Sequence, residues 1–93
     1  MPLPLGNPED QATIDVTTEA AEYQVTHGIQ SIEFVNMGNN DVYYGKLSTL
    51  TSARGAPIFS NGQRRTFENI SAGWRISFLT ASGTSTLRVI HYK

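Results

Sequence analysis

The 93-residue chain contains no cysteine, which excludes disulfide staples, thiolate nucleophiles and sulfur-ligated metals and leaves the redox compartment open. No apolar run approaches the roughly 20 residues of a membrane-spanning helix. The opening MPLPLGNPED offers neither a basic n-region nor an apolar stretch of signal-peptide length. The expectation is a soluble protein made in a cytoplasm, without a membrane partner. Chemical equipment is equally sparse. The two histidines, His27 and His91, stand in no HxH or HExxH spacing. No serine sits in GxSxG, and GNPEDQ lacks the Lys-Ser/Thr of a phosphate loop. Asp41 falls in a turn, where Asp caps backbone N–H groups. These absences argue against an enzyme and give no metal or cofactor to expect.

Positive charge is missing from the first 41 residues. They hold Glu9, Asp10, Asp15, Glu19, Glu22, Glu33 and Asp41 and no Lys or Arg, whereas residues 42–93 hold Lys46, Arg54, Arg64, Arg65, Arg75, Arg88 and Lys93 against Glu68 alone. The net charge of −1 hides this division. Either the halves neutralise each other within one domain through neighbouring strands, or the acidic part of one copy meets the basic part of another or of a host surface. The cations form no Lys/Arg-rich run, so nucleic acid is not an expected partner.

What is present is β-sequence. From residue 12 onward, runs rich in Thr, Val, Ile, Tyr and Phe recur at about ten-residue intervals between Gly, Asn and Ser, the pattern of a sandwich or barrel. TIDVTT (13–18), SIEFVN (31–36), WRISFLT (74–80) and STLRVIHY (85–92) alternate apolar and polar positions, a period of two that a helix does not produce. TTEAAEYQV (17–25) is the one segment that could hold a helical turn. Three polar clusters read as turns. NMGNND joins 31–36 to 41–45, ASGT joins 74–80 to the last strand, and SNGQ carries Asn61-Gly62, the strongest short hairpin signal. The fold expected is all-β, an antiparallel sandwich of jelly-roll type with about seven or eight short strands. One domain spans 12–93, since a chain this short cannot close a second core.

Pro2, Pro4, Pro8 and Gly6 make residues 1–11 an extended arm. A terminal arm is commonly unstructured, yet Leu3 and Leu5 between prolines suit a segment that docks on a neighbour. Tyr43 points opposite to Val42 and Tyr44, either as a cross-strand packing partner or as a contact for another molecule. Arg64 and Arg65 take opposite faces of their strand. They either protect an edge from pairing or supply a guanidinium fork to a carboxylate across a subunit contact. Trp74 shares parity with Ile76 and Phe78 and reads as core; a sugar-binding module would instead expose it beside Tyr43. The NIS acceptor at 69–71 has no secretory context.

From Ser31 to Tyr92, roughly two thirds of the chain, the order of motifs resembles a module of tailed-bacteriophage virion proteins. Its hairpin of N-x-G-N/S-N/D-aromatic-G form matches Asn36, Gly38, Asn40, Tyr43 and Gly45. Its G-x-P-I/L turn matches Gly55, Pro57 and Ile58, its G-x-x-x-x-F strand Gly62 and Phe67, and its closing "asGt.tlrV" segment Ala81–Thr84 and Leu87–Val89. The resemblance implies a small capsid decoration, or cement, protein. Such a protein sits on the outside of the head as a homo-oligomer, a trimer, clamps the major capsid protein and has no catalytic residues. An accessory head–tail or tail component is the neighbouring possibility, and a carbohydrate-binding sandwich the one outside this class.

Overall fold

The computed structural model describes residues 8–25, 28–46 and 50–92, so Leu3, Leu5 and His27 lie outside the described residues. Eight strands are present and, among the described residues, no helix: β1 (Pro8–Val16), β2 (Ala21–Gln24), β3 (Ile29–Asn36), β4 (Val42–Gly45), β5 (Ala56–Ile58), β6 (Arg64–Ile70), β7 (Arg75–Thr80) and β8 (Ser85–Tyr92). β1 begins at Pro8, within the segment read as an arm. Proline is tolerated there because β1 is an edge strand with no partner on one side. In place of the possible helical turn at 17–25, a bend at 18–19 leads into the extended β2, whose Tyr23 packs against the core.

Two four-stranded sheets form the sandwich, ordered β1-β8-β3-β6 and β2-β7-β4-β5, with antiparallel pairing throughout. The chain crosses between the layers at every connection but β4–β5, which is the jelly-roll arrangement. This corrects all three hairpins expected from the turns. β3 and β4, β5 and β6, and β7 and β8 lie in opposite sheets and do not pair. Asn61 and Gly62 do take the positive φ values, 66° and 93°, that their sequence demands, but they turn a corner between layers. A turn sequence fixes local backbone direction; whether the flanking strands then share a ladder depends on where their apolar faces find partners.

The same crossing resolves the charge division. In the first sheet the acidic-half strands β1 and β3 alternate with the basic-half strands β8 and β6, and in the second β2 lies beside β7. The halves are therefore interleaved within one domain, through strands distant in sequence and not through sequential neighbours.

Phe34, fully buried, is the centre of the core. Its ring meets Tyr23 at 5.9 Å, Phe67 at 6.1 Å, Trp74 at 6.4 Å and Phe78 at 4.8 Å between centroids, joining both layers. Trp74 is half-buried against this cluster, as its parity requires. Asn69 departs from alternation. Its φ of 59° interrupts the pleat, so Ile70, which would follow Glu68 outward, turns into the core.

Candidate functional site

The corners 37–41, 59–63 and 81–84 meet at one end of the sandwich, and Asn36 holds them together. Its buried side chain donates from Nδ2 to the carbonyls of Asn40 and Ile58, both at 2.9 Å, and accepts at Oδ1 from Gly38 N–H at 3.1 Å and Ser85 Oγ at 2.6 Å. Its backbone N–H donates to the Gln63 carbonyl, and its own carbonyl accepts from Gly62 N–H at 2.7 Å. All the hydrogen-bonding capacity of one amide is thus used where unpaired groups would be costly. The surrounding polar residues work in the same way. Asn40 Nδ2 donates to the Thr84 carbonyl at 2.7 Å, Asp41 Oδ1 accepts from Ser60 N–H at 2.9 Å, and Thr80 Oγ1 donates to the Gly83 carbonyl at 2.7 Å. A corner between layers has no ladder across it, so side chains take over the backbone groups a hairpin would have paired.

Two glycines set how closely these corners approach. A Cβ on Gly38 would lie 2.1 Å from Ser85 Oγ and 2.9 Å from Ser85 Cα, and one on Gly83 would lie 2.8 Å from Asn40 Nδ2. The pattern of Asn36, Gly38, Asn40 and Gly83 is therefore a packing requirement of this end. Between the corners lies an open polar depression of about 310 Å³ lined by Asn39, Asn40, Asp41, Ser60, Ala81 and Ser82. Met37 and Phe59, the exposed large apolar side chains among the described residues at 51% each, belong to the same set of corners.

Of the residues singled out from sequence, the described ones, Tyr43, Arg64 and Arg65, are not brought into one site. Tyr43 lies on the outer face of the second sheet, half-buried, opposite Pro57 and Leu79. Residues 50–55, which lead into β5, pack against that face. Leu50 is buried there, close to where Cβ atoms on Gly45 and Gly55 would sit. Arg64 lies on the outer face of the first sheet, where Nη1 is 3.4 Å from Glu33 Oε2. Arg65, on the opposite side of β6, reaches around the rim until its guanidinium carbon is 5.9 Å from the Tyr44 ring centroid. β6 is an edge strand, which accommodates both arginines, and the carboxylate that Arg64 meets belongs to its own chain. Tyr43 and Trp74 occupy opposite faces of the second sheet, so they do not form a shared stacking platform.

Glu33 was not legible as a structural residue. It alternates outward with Ser31 and Val35, yet is only 3% exposed, because β3 lies between β8 and β6 and their long side chains close over it. Tyr92 Oη donates to Glu33 Oε1 at 3.1 Å. Burial, then the hydrogen bond to Glu33 and the negative charge of that carboxylate, push the Tyr92 phenol above its ordinary value of 10.0, with Arg64 opposing. Inside the sandwich, Tyr23 Oη and His91 Nε2 are 2.8 Å apart, which joins β2 to β8 across the layers. Among the described residues no group of His, Asp and Glu gathers in a form that could hold a metal ion.

No protein-family model and no curated protein matches this chain. The functional reading rests on its residues and fold.

Proposed function

We propose that this protein is a structural component of a tailed-phage virion, a decoration protein that binds the outside of the head and stabilises the capsid lattice as a homo-oligomer. The observation that carries the reading is the convergence of the virion-module pattern on the braced end of the sandwich. Asn36, Gly38, Asn40, Gly62 and Gly83 are the positions that fix three corners against one another. Their chemistry is that of rigidity. A protein whose task is to hold neighbours in register needs loops that keep their shape under load, and an amide with every partner filled supplies this. The jelly roll is also an architecture used in viral capsid domains. The polar depression and the exposed Met37 and Phe59 give that end surface for contact with a capsid subunit.

Immunogold labelling of purified virions with antibodies against the recombinant protein tests the assignment. Label over the head supports decoration. Label confined to the tail or connector would move the protein to an accessory role, and virions free of the protein would overturn the proposal.

A further inference from the structure

The layer order places opposite charges on opposite edges of the sandwich. β1 and β2 are the edge strands on one side, and β6 and β5 those on the other. Tyr23 of β2 bonds His91 of β8, while Arg65 of β6 lies over Tyr44 of β4, so each edge pair stacks on the same side. The β1/β2 side presents Asp15, Glu19 and Glu22, all exposed. β1 also carries Glu9 and Asp10 by position. The cations nearest this edge, Arg88 and Arg75, lie one strand inward, opposite Thr13 and Gln24. The opposite side presents Arg64 and Arg65, with Glu68 further along β6 and Arg54 in the turn two residues before β5, all exposed.

Strand direction makes these edges compatible. β1 is antiparallel to β8, β8 to β3 and β3 to β6, so β6 runs opposite to β1. A second copy set beside the first with the same polarity would bring its β1 against β6 in antiparallel sense and continue the ladder. Thr13, Arg88, Val35 and Arg64 form one row across the sheet, and Pro8, Tyr92, Ser31 and Glu68 another. In a copy set at the same level Asp15 stands one same-face position from Arg64, and a two-residue slide along the strand brings these two opposite each other and moves Glu9 away from Glu68. β1 has nine residues and β6 seven, long enough for a real ladder.

We infer that a second copy of this chain docks head to tail, the acidic β1 edge of one protomer against the basic β6 edge of the next. This interface is heterologous and closes into a ring when its rotation permits. The inference deepens the homo-oligomer of the proposed function and rests on that part of it.

The test uses two variants of the full chain, Asp15→Lys and Arg65→Glu. Neither removes the Glu33–Arg64 pair, and a Trp74 fluorescence spectrum checks that each is folded. Light scattering in low salt should show the wild type as an oligomer and each variant dissociating about tenfold or more readily. Raising the salt should weaken the wild-type assembly. Folded variants that both assemble like the wild type would overturn this interface while leaving the oligomer and the virion assignment standing. A wild type that stays monomeric would overturn the inference and the oligomer together, and labelling of virions would still report on location separately.

Discussion

Ser85 Oγ donates to Asn36 Oδ1 across 2.6 Å although the residues are 49 apart in sequence, and the bond ties the end of β3 to the start of β8. The contact is buried, and three further bonds of the same amide depend on it for orientation. Replacing Asn36 with Ala strands two carbonyls, an N–H and a hydroxyl in a poorly solvated corner. The expected loss is roughly 3 kcal/mol of unfolding free energy, read by urea denaturation. Asn36→Asp should recover little of it, because the side chain then faces the Asn40 and Ile58 carbonyls without a donor. An Asn36→Ala variant as stable as the wild type would show that the corner is not held by this amide.

Two glycines of the same end differ in why they are glycine. At Gly62 the φ is 93° and nothing lies within 4 Å of the Cβ position, so alanine costs backbone strain of about 1–2 kcal/mol. At Gly38 the obstacle is Ser85, including its Cα, which cannot move without shifting β8. Gly38→Ala should therefore destabilise more than Gly62→Ala. Thermal unfolding of the two variants decides the order; equal effects would refute it.

Phe34 is the ring that both layers share. Phe34→Ala removes contacts with four aromatic partners and should cost about 3–5 kcal/mol, a large part of the stability of a domain this small. The check is the urea midpoint, with Trp74 fluorescence reporting loss of its stacked neighbour.

The phenol of Tyr92 supplies a pH signature. Its ionisation in the folded protein is shifted above the ordinary 10.0, so the folded state holds this proton more tightly than the unfolded chain does. The associated stability is present below pH 10.0 and is lost as the pH rises through the higher folded value. Unfolding free energy measured across this alkaline range should fall, and Tyr92→Phe should flatten the slope. A slope unchanged in Tyr92→Phe would assign it to another group.

How much of this was readable in advance depended on the range of the interaction. Alternation in SIEFVN and WRISFLT identified strands and placed Phe34, Ile76 and Phe78 inside, and Asn61-Gly62 announced its positive φ values. The candidate residues fared differently. Arg64 and Arg65 were correctly divided between two faces of an edge strand, but nothing near Arg64 in sequence pointed to Glu33, 31 residues earlier. Glu33 itself alternated like a solvent-facing residue, and only the strands on either side made it buried.

The sequence by itself determined the strand content, the apolar faces and the sharpness of the corners, because alternation and left-handed turn residues act within a few positions along the chain. Only the tertiary structure decided that three of those corners join opposite layers, that Asn36 satisfies the groups they leave unpaired, and that acidic and basic strands interleave with opposite charges left at the two edges. Those outcomes follow from where each apolar face finds its cover, and cover comes from strands distant in the chain.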